Sequence, residues 1–203
     1  MYSQYDEEQH VLAICESIKN HRRFLDIGAW SAKTFSNTRA LFELGWGGVL
    51  IEPSPGPVKE LVREYGECEN IEVIAAALTI EGVSVRLVVT DDAVSQPTDD
   101  PKRVAQWSGT AGFYGRLTVP SISVKQFFAQ WGGDFEMMSI DTEGTSVDVF
   151  AEIVRAGPRP RCIVVEHDSR YVEVAGIAEK AHYRQVHLNG TNCVLEWTGK
   201  REW

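Results

Sequence analysis

The sequence predicts an α/β fold, a mostly parallel sheet with helices on both faces. Two observations carry this. Short apolar runs alternate with stretches of helical periodicity along the whole chain, the pattern that successive β–α–β units leave. The runs at 23–27, 135–140 and 162–165 read as buried strands, as expected where helices cover both faces of a sheet.

The elements follow in order. Val11, Leu12, Ile14, Cys15 and Ile18 share a helical spacing, which predicts an N-terminal helix over 6–20. A strand at 23–27 leads into a helix over 31–44, with Thr34, Phe35, Thr38, Leu41 and Phe42 on its inner face and Gly45-Trp46-Gly47-Gly48 as its stop. A second strand at 48–52 precedes a helix at 55–65, where Pro57 is tolerated in the first turn. Strands follow at 71–78 and 84–90. The segment 91–117 differs in kind. It is rich in Asp, Ser, Gly and Pro yet carries Trp107, Phe113 and Tyr114, and so long a loop in a compact domain suggests a lid or an insertion. A short strand at 119–123 meets a helix at 123–131 with Ser123 as its N-cap. A strand at 135–140 ends in Asp141-Thr142-Glu143-Gly144, and a helix at 145–156 follows. A strand at 162–165 ends in Glu166-His167-Asp168 before a helix at 171–181. The last two strands, 183–188 and 192–197, form a C-terminal antiparallel hairpin that supplies one antiparallel edge strand.

With 203 residues the chain is expected to form one domain. Its net charge of −9 argues against a duplex nucleic-acid partner, which needs concentrated Lys and Arg. No apolar run approaches the roughly 18 residues of a membrane span, and the acidic N-terminus lacks a signal-peptide pattern. Cys15, Cys68, Cys162 and Cys193 form no Cys-x-x-Cys pair, which fits reduced thiols in a cytoplasmic protein.

The strand ends hold the chemistry. In open α/β sheets, ligands bind beyond the carboxyl ends of the strands. Four such ends here carry acids or imidazole: Asp26; Glu52; Asp141 with Glu143; and Glu166 with His167 and Asp168. Glu52 follows Asp26 by about one strand–turn–helix unit and suits the paired hydroxyls of a ribose, since a carboxylate accepts two hydrogen bonds at once. Gly28 permits close backbone approach to a ligand. The turn is not Gly-x-Gly-x-x-Gly, because Trp30 and Ala32 occupy the phosphate-binding positions. A dinucleotide fits poorly there. Asp26 would repel phosphate and suits a cationic ligand, such as an amino-acid ammonium beside a sulfonium, which points to S-adenosylmethionine (SAM).

The segments Phe-Leu-Asp-Ile-Gly-Ala-Trp-Ser-Ala at 24–32, Leu-Ile-Glu-Pro at 50–53, Met-Ser-Ile-Asp-Thr-Glu-Gly at 138–144 and Val-Val-Glu-His-Asp at 164–168 resemble the FkbM family of class I SAM-dependent methyltransferases. Motif order carries the resemblance over roughly residues 23–197. It implies a Rossmann-like class I methyltransferase fold with a seven-stranded sheet. It also implies that Asp26, Gly28 and Ala29 flank the methionine part of SAM, that Glu52 lies at the ribose and Ala76-Ala77-Leu78 near the adenine, that Trp30 and Pro53 also belong to the cofactor site, and that Asp141 stands beside the transferring methyl. Ala32 departs from the family, which usually has a second Gly there, and Lys33 places a cation beside the site of a cationic ligand.

Methyl transfer to oxygen needs in-line alignment and removal of the acceptor's proton. The available bases are Asp141, Glu143, Glu166 and His167, of which His167 is favoured because imidazole titrates near neutral pH. A divalent metal held by Asp141, Glu143, His167 and Asp168 is a competing, less favoured account of the same cluster. The leading expectation is therefore methylation of a hydroxyl on a sugar, glycan or other small molecule. The alternatives are N-methylation, a SAM-binding module without turnover and, distantly, a nicotinamide-dependent oxidoreductase.

Overall fold

The computed structural model describes residues 1–90 and 113–199. Seven strands form the main sheet. In chain order they are β1 (Arg23–Ile27), β2 (Gly47–Ile51), β3 (Ile71–Ile74), β7 (Met137–Ile140), β8 (Cys162–Glu166), β9 (Tyr183–Leu188) and β10 (Asn192–Trp197). Their spatial order is β3-β2-β1-β7-β8-β10-β9. The first five of that order are mutually parallel. β10 runs antiparallel to both β8 and β9. The antiparallel strand therefore lies one place in from the edge, and the edge strand β9 runs with the rest; the expected antiparallel edge is corrected accordingly.

Side-chain alternation along the buried strands sorts the core into two layers. Leu25, Ile27, Val49, Ile51, Met138, Ile140, Ile163 and Val165 face one side. There they pack against α4 (Val124–Trp131), α5 (Ser146–Ala156) and α6 (Tyr171–Lys180), through Phe127, Phe150, Ile153 and Val174. Phe24, Leu50, Met137 and Val164 face the other side, against α1 (Glu7–Cys15), α2 (Arg39–Glu43) and α3 (Pro55–Tyr65), through Val11, Ile14, Leu41 and Leu61. Three helices thus cover each face. Ser123 caps α4 as expected: its hydroxyl accepts from the Gln126 N–H, and the Gln126 side chain returns to the Ser123 N–H, a full capping box.

Three elements depart from expectation. The helix expected over 31–44 is reduced to α2, and residues 28–38 form an irregular loop. Ser31 Oγ accepts from the N–H of Lys33 and of Thr34, and Ser36 Oγ from those of Thr38 and Arg39. Such bonds compete with helical ones. Trp30 and Phe35 also take positive φ, 41° and 59°, which interrupts a right-handed helix. The strand expected over 71–78 is two strands. β3 ends at Ile74 because its partner β2 ends at Ile51; beyond it, β4 (Ala77–Thr79) joins β5 (Ser84–Thr90) and β6 (Phe113–Ser123) in a second sheet of order β4-β6-β5. Residues 113–117, expected inside the lid or insertion, are the first half of β6, paired to β5 from Thr90↔Phe113 to Leu87↔Leu117. The rest of that segment, Trp107 included, lies outside the described residues. Among the described residues, no helix is long and apolar enough to cross a membrane.

Candidate active site

The carboxyl ends of β1, β2, β7 and β8 open into one cleft of about 930 Å³, within the range typical of small-ligand sites. Every residue expected at the site lines it: Asp26, Gly28, Ala29, Trp30, Glu52, Pro53, Ala76, Ala77, Asp141, Glu143, Glu166, His167 and Asp168. The strand ends bring these together because the sheet is parallel there and all four ends point the same way.

Gly28 closes the floor. Its φ is +79°, and a Cβ built on it would lie 1.6 Å from the Asp141 carbonyl oxygen. The chains after β1 and β7 therefore touch at a point that only glycine permits. Its N–H donates to the Ile51 carbonyl at 2.8 Å, which ties the turn to β2 as well.

Asp26 lies on β1, level with Ser139 of β7. It is 4% exposed. The Thr38 hydroxyl donates to its Oδ2 at 2.5 Å. Burial, with Asp141 and Glu52 adding repulsion, pushes its carboxyl up to about 7. Glu52 is equally buried. Its Oε2 accepts from the Trp30 N–H at 3.0 Å and its Oε1 from the Ser54 N–H at 2.7 Å. These fix both carboxylate oxygens at the cleft wall, while burial raises its pKa. Trp30 stacks on Phe35 with ring centroids 5.9 Å apart, so both rings belong to the irregular loop's face of the cleft.

The third group stands at β7 and β8. The Asp141 carboxylate is bonded by the Glu166 carboxyl and by the Glu143 backbone, while its Oδ1 is buried and accepts no hydrogen bond. Burial, then repulsion from Asp141, Glu143 and Asp168, pushes Glu166 far above the carboxylate range. Burial raises the Asp141 carboxyl as well, so a proton is held between the two coupled carboxyls. The Ser146 hydroxyl completes the cluster by donating to Glu166 Oε2 at 3.1 Å.

His167 lines the cleft with both ring nitrogens engaged. Nδ1 accepts from the Ser169 N–H at 3.1 Å, so Nε2 carries the hydrogen and faces the Asn189 carbonyl at 3.2 Å. The acids of the expected metal set are only partly brought together. One ligand atom each of Asp141, Glu143 and Glu166 lies within 4.8 Å of the others, and neither His167 nor Asp168 belongs to that group.

The two residues that looked awkward in the sequence point elsewhere. The Ala32 side chain is buried in the α1–α3 layer, and its carbonyl accepts from the Tyr65 hydroxyl. Lys33 Nζ pairs with Glu64 at 2.9 Å, and Lys33 is absent from the lining of the cleft. Sequence reasoning missed Thr38, Ser139, Ser146, Tyr5 and Asn37. Nothing in their local pattern marks them; each reaches the site only through tertiary placement.

Taken together, the lining includes eight acids, Asp26, Glu52, Glu81, Asp141, Glu143, Asp148, Glu166 and Asp168, and neither Lys nor Arg among the described residues. Such a cleft favours a cation and repels phosphate. The fold is that of a class I methyltransferase. The FkbM methyltransferase domain matches residues 26–185, and the chain belongs to that family. The Escherichia coli protein yhhF, a proposed methyltransferase, superposes with a TM-score of 0.51 at 12% identity, over 96% of this chain and 87% of its own. The precorrin-6y C5,15-methyltransferase of Geobacter metallireducens GS-15 gives 0.50 at 10% identity, over 98% and 91%. At such identities these likenesses concern the fold. Among curated proteins, none matches the sequence. Methyl transfer is the chemistry of the family, and membership implies SAM as the methyl donor.

Proposed function

We propose that this chain transfers a methyl group from SAM to a hydroxyl oxygen of a sugar, glycan or other small molecule. The observation that carries this reading is the cleft lined by eight acids and, among the described residues, by neither Lys nor Arg. SAM supplies a positively charged sulfonium whose methyl is open to in-line attack. Asp26, with Gly28 and Ala29, receives the ammonium end, and Glu52 receives the ribose hydroxyls. Trp30 and Pro53 frame this half, and Ala76 with Ala77 bounds the adenine. Asp141 is the base that takes the acceptor's proton: it lines the cleft at the end of β7, and burial raises its carboxyl above the ordinary value, toward that of a general base. Glu166 and Glu143 hold it in place. His167 orients the loop after β8, since both its ring nitrogens are already engaged. The four free cysteines support a reducing, cytoplasmic setting.

The test is a pair of measurements. SAM, and not NAD, raises the melting temperature, and label from methyl-labelled SAM appears on a hydroxylated acceptor from a broad panel. A shift with NAD alone overturns the donor assignment. Label found only on amines replaces the hydroxyl acceptor by N-methylation, and SAM binding without any transfer leaves a binding module.

The proximity of Asp141, Glu143 and Glu166 favours one second reading, a divalent ion bound to these three that orients the acceptor. Turnover unchanged by exhaustive chelation removes it.

A pH dependence follows from Asp26. Its carboxyl titrates near 7 in the fold, above its ordinary value of 3.8. The native state therefore holds a proton that the unfolded chain has lost, and Asp26's contribution to stability falls as pH rises from about 4 to 7. SAM affinity runs the opposite way, since the ammonium needs the ionised form. Calorimetry on the intact chain should show affinity rising roughly tenfold per unit up to pH 7 and levelling above it. Asp26→Asn should flatten both slopes. Equal SAM affinity at pH 6 and 8 in the parent protein contradicts the assignment.

A further inference from the structure

A second cluster of ligating groups lies outside the cleft, where α1 meets the edge strand β9. Asp6 and His10 are four residues apart at the start of α1, so their side chains share one face of that turn. His187 comes from β9. One ligand atom from each of the three lies within 4.8 Å of the other two. His187 Nε2 is 2.9 Å from Asp6 Oδ1, and His10 Nε2 is 4.0 Å from Asp6 Oδ2. The two imidazoles stack with centroids 4.3 Å apart and planes 15° from parallel.

We propose that Asp6, His10 and His187 bind a divalent transition-metal ion, with zinc the ion that their two-nitrogen, one-carboxylate set suits best. An ion pair accounts for His187 with Asp6, whose Nε2 and Oδ1 are 2.9 Å apart, but not for His10, whose Nε2 stands 4.0 Å from the same carboxylate, beyond hydrogen-bond reach. Ligand atoms around a tetrahedral zinc sit roughly 3.4 Å apart, given bond lengths near 2 Å. Gln9 Nε2 donates to Asp6 Oδ2 at 3.4 Å on the exposed side.

The ion would brace the rim of the cleft. Tyr5 and Gln4, directly before Asp6, line the cleft, as do Gly190, Thr191 and Asn192 of the β9–β10 turn. Glu7, fully buried, already links the two: its Oε1 accepts from the side-chain amides of Asn189 and Asn192, and its Oε2 from the Tyr5 N–H. A metal on the neighbouring turn fixes the same junction from its outer side.

Zinc chloride is titrated into the intact, metal-stripped chain by calorimetry, with long-range 1H–15N spectra of the histidine rings recorded in parallel. The proposal expects one ion per chain and a rise in melting temperature on binding. Ring signals of His10 and His187 shift, and those of His21, His167 and His182 do not. His10→Gln and His187→Gln each lose the binding heat while keeping the melting temperature of the metal-stripped parent. Absence of binding at submillimolar zinc overturns the proposal. So does an ion that leaves the His10 and His187 signals unmoved, or one that persists in the double Gln variant and is lost in Asp141→Asn, which places it in the cleft. Should the Gln variants fail to fold, the ring spectra of the unsubstituted chain decide alone.

Discussion

Gly28→Ala is expected to abolish SAM binding and to cost the fold on the order of 2–4 kcal/mol. Two effects add. The residue holds φ at +79°, where a Cβ is strained whatever surrounds it, and that Cβ would lie 1.6 Å from the Asp141 carbonyl oxygen. No rotamer relieves the overlap, because both partners are backbone. Relief requires the chain after β1 to move away from the chain after β7, which separates Asp26 and Glu52 from Asp141. Gly45 is the internal control. It has a similar φ, +83°, but nothing within 4 Å of the added Cβ, so Gly45→Ala should cost only about 1 kcal/mol and leave SAM binding intact. Urea midpoints at constant slope measure both. Equal effects from the two replacements would show that φ alone matters and that the β1–β7 contact does not hold the site.

That contact also shows what the sequence makes legible. Gly28 after an apolar run, with an acid on either side of the next helical unit, is a local pattern, and the parallel sheet turns it into a convergent site. The ends of β1, β2, β7 and β8 can be placed from sequence because each strand is short, apolar and buried on both faces. The loop from Gly28 to Thr38 cannot. Its phenylalanine and threonines have helical spacing, but the serine hydroxyls at 31 and 36 bond the backbone ahead of them, and two residues take positive φ. Tertiary contacts decide that contest, and periodicity does not report them. The break between β3 and β4 is similar. Nothing in Ile71 to Thr79 marks it; β3 stops because β2 stops.

Site chemistry divides along the same line. Which acids face the cleft follows from strand ends, and all of those named from the sequence are there. Which of them is charged does not follow, since it depends on partners brought from afar. His167 is a residue type that often serves as a general base, yet the Ser169 N–H and Asn189 carbonyl take up both ring nitrogens. Lys33 stands beside the turn in sequence and turns to Glu64 in space. Ala32, where the family usually has glycine, puts its methyl into the α1–α3 layer rather than the cleft.

Asp141→Asn is expected to lower kcat by roughly 10²–10⁴, the usual contribution of a general base, while changing SAM affinity only a fewfold. The reasoning starts from the shared proton. Burial and three neighbouring carboxylates push Glu166 up, burial raises Asp141 as well, and the Glu166 hydrogen bond favours the ionised form of Asp141. Asp141 lines the cleft at the end of β7 and is the carboxylate placed to take the acceptor's proton. The amide of asparagine keeps the size and loses the charge, which separates the proton-transfer role from packing. Glu166→Gln gives the second arm. It retains a donor toward Asp141, so a drop of less than about tenfold is expected, whereas Glu166→Ala removes that donor and should shift the pH profile of kcat as well as its height. His167→Gln should stay within about tenfold of the parent, because both bonds it makes are structural. If Asp141→Asn retains full turnover and His167→Gln loses it, the base is the imidazole, and its two hydrogen bonds must break when the acceptor binds.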